Sequence, residues 1–353
     1  MGINSRIVFA QEMTMKTTIP IAFALLACIS ASVLHAEEPL KISGKTMGSY
    51  YAIVIDSPGS ADGERLQKEI EEKFAEINRQ MSTWDESSQI SKFNRSKSTE
   101  WLEIGADFAV VAQEAKRLHT VTQGAMDVTV SPLVDLWGFG RNKRRTLPTE
   151  KEIEAARKHV GMQHVEVRQD PPGIRKSLPD IQISFSALAP GYAADEACEI
   201  LRSHQLKSYV VDVGGENRAG EAKAGGDAWR LGVESPLGGL HKVVELTNQS
   251  IATSGDYRSF FMAGGKKYSH VLNPKTGRPV ENPPASVSII HESCMTADGL
   301  ATAMMVLGPE KGIELAKTVG VDVMFLDLSQ DGMLTEQSIG VFAAEQTTPA
   351  SKP

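Results

Sequence analysis

Apolar residues recur three and four positions apart at Leu66, Ile70, Phe74, Ile77 and Met81. At 3.6 residues per turn they share one face, so the spacing predicts an amphipathic helix over 64–81. A second helix is expected over 108–121, ended by Gly124. A third should start at Thr149, which with Glu152 has the spacing of a capping box, and run to Val160. Residues 192–201 and 309–319 read as two more, and an Ala-, Met- and Leu-rich run around 298–302 as another entering a core. Strands are expected at 50–55, 164–167, 209–213, 229–233, 242–246, 287–291 and 321–328. The stretch 209–213 reads as a buried strand stopped by Gly214-Gly215, while 229–233 and 242–246 suit a meander. Residues 169–179, with Pro171-Pro172-Gly173, read as a surface loop. Helices and strands mix without strict βαβ alternation, so the expected class is α+β.

Composition narrows the functional classes. The chain has 353 residues, 41% hydrophobic and 23% charged, enough for a large core in one domain or two. Its net charge of −7 argues against a nucleic-acid partner, which a basic face would serve. Met15-Lys16 opens a nearly uncharged, apolar stretch that ends at His35-Ala36 before Glu37-Glu38. That order predicts a secretory signal cleaved after Ala36, with 1–14 an upstream extension. Leu25-Leu26-Ala27-Cys28 also has the look of a lipobox, which would leave Cys28 lipidated. The expected location is therefore the periplasm, soluble or anchored to the inner membrane. No later segment is apolar enough to span a bilayer. Beyond Cys28 only Cys198 and Cys294 remain, too few and too far apart for a disulfide framework or a zinc site. Both read as buried small hydrophobes. The folded domain is expected over 37–344, with a polar, disordered tail over 345–353.

Candidate chemistry lies in polar clusters set among glycine and apolar residues. One runs from Thr122 through Asp127 to Gly140, a second from Ser184 to Asp195, a third from Ile251 to Arg258 and on through His270 to Pro279. Small residues let the backbone approach a ligand and offer N–H groups to anionic oxygens. There is no phosphate loop, nucleophile elbow or His-Glu-x-x-His, and the pairs Gly214-Gly215 and Gly225-Gly226 read as turns. His270 is the histidine closest to such a cluster. His119, His159, His164, His204, His241 and His291 read as surface or helix-end positions. Asp298 and Thr302, four apart on a helix, would share a face and could offer two oxygens to Mg²⁺. Taken alone they are better read as an Asp N-cap and a buried Thr bonded back to its helix.

Together these stretches resemble the ApbE family of FAD:protein FMN transferases. The resemblance is carried by Lys45-Thr46-Met47-Gly48, Met81-Ser82-Thr83-Trp84, Gly124-Ala125-Met126-Asp127 and Pro132 to Gly140. It continues through Gly191-Tyr192-Ala193-Ala194-Asp195, Val213 to Glu216, Ser250 to Arg258, Ser269 to Pro279 and Ala297-Asp298 with Thr302, covering about 41–330 in order. It implies an ApbE-like, T-fold-related arrangement of mixed sheets flanked by helices, with FAD in a central cleft. The implied reaction is Mg²⁺-dependent transfer of FMN from FAD to a Thr or Ser hydroxyl of a target protein, releasing AMP. Acceptors in the family carry an Asp-x-x-(Thr/Ser)-x-Ala-(Thr/Ser)-like motif and are flavoprotein subunits of membrane redox complexes, such as sodium-pumping NADH:quinone reductase and Rnf. By position, Asp298, Thr302 and the backbone carbonyl of Ala189 match the metal ligands. Met47, Trp84, Ala125, Met126, Asp127, Ser186, Tyr192 and Leu272 match flavin contacts, and His270 is the candidate base for the acceptor hydroxyl. The chain departs from the family at Ser184, where Asp is usual, at Pro190, where Lys is usual, and at Trp84, where Tyr is usual. An FAD pyrophosphatase, with water replacing the acceptor, and a non-catalytic FAD-binding maturation factor are the alternative functions.

Overall fold

The computed structural model describes residues 37–140, 146–256, 260–329 and 331–344. The expected leader and tail, and Tyr257 and Arg258 of the third polar cluster, lie outside the described residues. The chain opens with the hairpin β1 (Leu40–Thr46) and β2 (Ser49–Ile55), followed by α1 (Gly63–Met81), α2 (Gln89–Arg95), β3 (Leu102–Glu103) and α3 (Ala106–Val121). Next come α4 (Ser131–Leu136), α5 (Glu150–Arg157), the hairpin β4 (Val165–Gln169) and β5 (Pro172–Lys176), and α6 (Ala189–Ser203). Strands β6 (Tyr209–Val213), β7 (Glu216–Ala219), β8 (Trp229–Glu234), β9 (Leu240–Leu246) and β10 (Ser250–Gly255) follow. Short hairpins pair β11 (Phe260–Ala263) with β12 (Lys266–Ser269) and β13 (Leu272–Asn273) with β14 (Arg278–Pro279). The last elements are β15 (Ser286–His291), α7 (Cys294–Val319), β16 (Asp322–Leu328) and β17 (Leu334–Ile339).

Eight strands form the main sheet in the order β1-β2-β6-β7-β10-β15-β16-β17. The α+β class is as expected, and the sheets are more uniform than "mixed" implies, since every described pairing is antiparallel. Successive strand residues point to opposite faces. Val211, Val213, Val323 and Phe325 enter the core under α1, α3, α6 and α7. Val210, Met324 and Leu326 point the other way, into a second core with Trp229, Leu231, Val244 and Phe342. Both faces are covered, which is why β6 and β16 show no clean polar alternation.

The sequence reading holds for most long elements, including the capping box at Thr149 and Glu152. It fails at 169–179, which form most of the β4–β5 hairpin rather than a loop. Pro172 is tolerated as the first residue of a strand, and Lys176 is buried with its ammonium donating to the carbonyls of Phe93 and Ile181, each at 2.9 Å. Burial lowers the Lys176 pKa to about 8. The helices predicted around 298–302 and at 309–319 follow one another as α7, interrupted at Gly308, whose φ of +75° and ψ of 175° are non-helical. Among the described residues no helix is long and apolar enough to cross a membrane. Cys198 and Cys294 are both buried and free.

Candidate active site

Asp298 lies more than a turn inside α7, so it does not cap the helix. The N-cap is Ser293, whose side chain accepts from the Thr296 amide. The carboxylate that serves this helix end is Asp195, from α6. It accepts from the amides of Cys294 at 2.9 Å and Met295 at 3.1 Å, from Ser293 Oγ at 2.8 Å and from the Arg218 guanidinium. An anion at a helix N-terminus is stabilised by the free amides and the helix dipole. Gly191 lets α6 come this close, because a Cβ there would sit 2.5 Å from the Cys294 carbonyl oxygen.

Asp298 is thereby released for another task. It is 6% exposed, and its Oδ2 has no protein donor. Burial pushes its pKa up to about 7, opposed by the nearby Gly191 amide. One turn later Thr302 Oγ1 lies 3.2 Å from Ser254 Oγ. Asp298, Thr302 and Ser254 all line a cleft of about 750 Å³. So does Glu216, at the start of β7. Burial, then the charges of Asp298 and Asp212, drive its carboxyl well above the usual range, while the Thr253 amide opposes this. Its Oε2, too, has no protein donor.

His270 lines the same cleft. Its Nδ1 is 3.5 Å from Oδ1 of Asp256, a residue only 2% exposed. Burial pushes the Asp256 carboxyl up, but His270, Lys267 and Ser269 together hold it below its ordinary value. Lys267 Nζ is 2.7 Å from its Oδ2, and Ser269 Oγ donates to its Oδ1. A carboxylate fixed this way can orient an imidazole, leaving the other ring nitrogen for proton transfer. The Phe139 ring meets His270 edge-on at 6.2 Å between centroids.

A third part of the wall is Ala125, Met126 and Asp127. Asp127 Oδ1 accepts from the Thr129 amide at 2.8 Å and from Thr129 Oγ1 at 2.5 Å. His119 Nδ1 lies 3.3 Å from its Oδ2. The helix-end expectation for His119 holds in place but misses this pairing, which raises the histidine's pKa against the opposing effect of burial.

Of the residues singled out in the sequence, the cleft gathers Trp84, Ala125, Met126, Asp127, Ser186, His270, Leu272, Asp298 and Thr302. Trp84 stands 75% exposed. Met47, Ala189 and Tyr192 do not line it. Met47 sits in the β1–β2 turn with a φ of +51°. Ala189 opens α6. Tyr192 is buried and donates to Asp107 Oδ1 at 2.7 Å. The departures from the family pattern are absorbed locally. Pro190 falls in the first turn of α6, where an N–H would have no helical partner. Ser184 lines the cleft and donates its amide to the Val128 carbonyl at 2.8 Å. Glu216 and Asp256 were visible only as parts of motifs, since nothing in their spacing marked them as site residues.

Among the described residues no three His, Cys, Asp or Glu side chains gather into a metal cluster. Mg²⁺ needs only one or two carboxylates and fills its shell with phosphate and water. The orphaned Asp298 Oδ2, in a cleft that Thr302 and Ser254 also line, fits such an ion.

A model of the ApbE family matches residues 47–325, most of the chain. The chain belongs to the ApbE family. Within that family it is 38% identical to the FAD:protein FMN transferase of Vibrio cholerae over 317 residues, 88% of this chain and 94% of that protein. It is 32% identical to the FAD:protein FMN transferase of Escherichia coli over 310 residues, 86% and 88% of the two. Solved ApbE structures share the fold. The flavin transferase ApbE from Vibrio cholerae superposes with a TM-score of 0.78 at 37% identity, covering 86% of this chain and 98% of that one. The apo form of the Pseudomonas stutzeri flavinyl transferase ApbE gives 0.81 at 33% identity, with 88% and 97% covered. The ApbE match takes in every candidate site residue, from Met47 to Thr302.

Proposed function

We propose that this protein transfers FMN from FAD to a Ser or Thr hydroxyl of an acceptor protein, in a Mg²⁺-dependent reaction. The observation that carries this reading is one cleft holding both an orphaned buried carboxylate with a neighbouring hydroxyl and an imidazole oriented by a buried Asp. The names of the ApbE relatives support the same reaction. Asp298 and Thr302 would hold Mg²⁺, with the Ala189 carbonyl proposed as a backbone ligand. When bound, the ion would neutralise diphosphate charge and polarise the phosphorus under attack.

The protein's own groups do the rest. The wall at Ala125 to Asp127, with Leu272 and Ser186, offers a shaped surface for the flavin, and Trp84 an aromatic plane at the cleft. Met47 and Tyr192, placed outside the cleft lining, would support the flavin site indirectly. His270, held through Asp256, would take the proton from the acceptor hydroxyl. The hydroxyl oxygen bonds to the FMN phosphorus, the P–O bond to AMP breaks, and AMP leaves with that electron pair. We also propose that the protein is exported to the periplasm, on the signal-like residues 15–36, and that its acceptor is a membrane redox-complex subunit.

The test is to incubate the protein with FAD, Mg²⁺ and an acceptor domain carrying an Asp-x-x-(Thr/Ser)-x-Ala-(Thr/Ser)-like motif. Acceptor that fluoresces after denaturing electrophoresis, with stoichiometric AMP, is the expected result. Free FMN and AMP without labelling would indicate a pyrophosphatase, and intact bound FAD a binding protein. Labelling that survives both EDTA and Asp298→Ala would overturn the metal assignment.

A further inference from the structure

Asp298 and Glu216 come from different elements, α7 and β7, yet present the same arrangement in one cleft. Each carboxyl is held down from its burial-raised pKa by one nearby backbone amide, Gly191 for Asp298 and Thr253 for Glu216. Each leaves one buried oxygen, Asp298 Oδ2 and Glu216 Oε2, without a protein donor. Buried polar oxygens are rarely left this way, and a buried carboxylate is normally paired or bound to a metal.

No neighbouring donor reaches either oxygen. Arg218, two residues along β7 from Glu216, gives one guanidinium nitrogen to Asp195 and leaves its buried Nε without a partner. Asp212 has both oxygens satisfied, by the Gly215 amide at 2.8 Å and the Tyr50 hydroxyl at 3.2 Å. The hydroxyls of Ser254 and Thr302, 3.2 Å apart, line the same cleft. Two bare carboxylate oxygens and two hydroxyls make an all-oxygen donor set suited to a hard divalent cation.

We propose that Glu216 is a second carboxylate ligand of the cleft's divalent-cation site, so that the protein holds the ion before any nucleotide arrives. This rests on the Mg²⁺ reading above and deepens it. With one carboxylate, tight binding would wait for the diphosphate oxygens. With two, the apoprotein suffices.

The test titrates Mn²⁺, a spectroscopic stand-in for Mg²⁺, into the nucleotide-free protein. Free Mn²⁺ is read by electron paramagnetic resonance, and thermal unfolding is followed in parallel. Wild type should bind one Mn²⁺ and gain thermal stability from it. Glu216→Gln keeps the side-chain length and a carbonyl acceptor for the Thr253 amide. It should weaken Mn²⁺ at least about tenfold and abolish the thermal gain, with metal-free stability equal to or above wild type. Glu216→Asp, which keeps the charge, should recover part of the affinity, and the surface variant Glu314→Gln should match wild type. Mn²⁺ affinity within twofold of wild type in Glu216→Gln, or no binding by wild type without nucleotide, overturns the proposal. Loss of Mn²⁺ binding in Asp298→Asn alone would overturn the role of Glu216 and leave the Mg²⁺ reading standing. Binding unchanged in both variants would bring down both.

Discussion

Two aspartates serve the same stretch of α7 and are both largely buried, yet they do opposite things. Asp195 meets two amides, a hydroxyl and a guanidinium. Asp298 leaves Oδ2 with no protein donor. The first carboxylate is used up in joining α6 to the start of α7. The second is held at a cost, because burial disfavours its charged form. The two acids differ in hydrogen-bond accounting rather than in burial or residue type.

The sharpest test of that contrast is Asp298→Asn. An amide removes the charge while keeping the shape, so the thermal midpoint without Mg²⁺ should be unchanged or higher. The rate of FMN transfer should fall by about two to three orders of magnitude, on the scale of losing one electrostatic stabiliser of a transition state. A variant that loses stability while keeping its rate would reverse the assignment.

Asp195→Ala should do the reverse. It strands the Arg218 guanidinium and two helix amides, and breaking a buried pair of this kind costs about 3–5 kcal/mol. Denaturant unfolding should show that loss. The variant that remains folded at low temperature should keep most of its transfer rate, since Asp195 does not line the cleft.

A smaller effect is expected at Asp256, which resembles Asp195 in having its oxygens engaged but spends one contact on His270. Asp256→Asn should lower the transfer rate by about ten- to a hundredfold through loss of imidazole orientation. The KM for FAD should stay near wild type. His270→Gln combined with Asp256→Asn should be no slower than His270→Gln alone, because the carboxylate acts through the ring. Additive losses would mean that Asp256 has a separate role.

The fold was legible wherever periodicity has one cause. The face of α1 at Leu66, Ile70, Phe74 and Ile77 and the capping box at Thr149 could be read directly, because each is set by residues within a turn of one another. Residues 172–176 could not, because Pro172 and Gly173 signal a turn while their burial depends on β3 and β4 pairing to either side. The site divides the same way. Asp298 and Thr302 are one helical turn apart, so their shared face follows from spacing. Glu216 joins them only through the pairing of β7 with β10, and Asp256 reaches His270 across the β11–β12 hairpin. Met47 and Gly48 form a two-residue turn in which both take positive φ. Asn-Gly would have announced such a turn, and Met-Gly does not. Oxygens left bare by every neighbour are not a property of any sequence window.

The mildest break concerns His119 and Asp127, where an acid in the cleft wall is partnered by a titrating group. His119 faces the Asp127 carboxylate, the Met126 carbonyl and, at longer range, Lys275, whose charge opposes its protonation. Its folded pKa is raised above the ordinary value. The stability it contributes is therefore complete below about pH 6.5, the usual histidine value, and is lost as pH rises through the folded pKa. The ring is a quarter exposed, so the effect should stay small. Wild type should lose a little stability as pH rises above about 6.5 and through the raised folded pKa, and His119→Gln should flatten that slope. The flavin-side wall would then loosen with pH, so the KM for FAD should rise over the same interval in wild type and not in the variant. A slope unchanged by His119→Gln would place the titrating group elsewhere and leave Asp127 held by Thr129 alone.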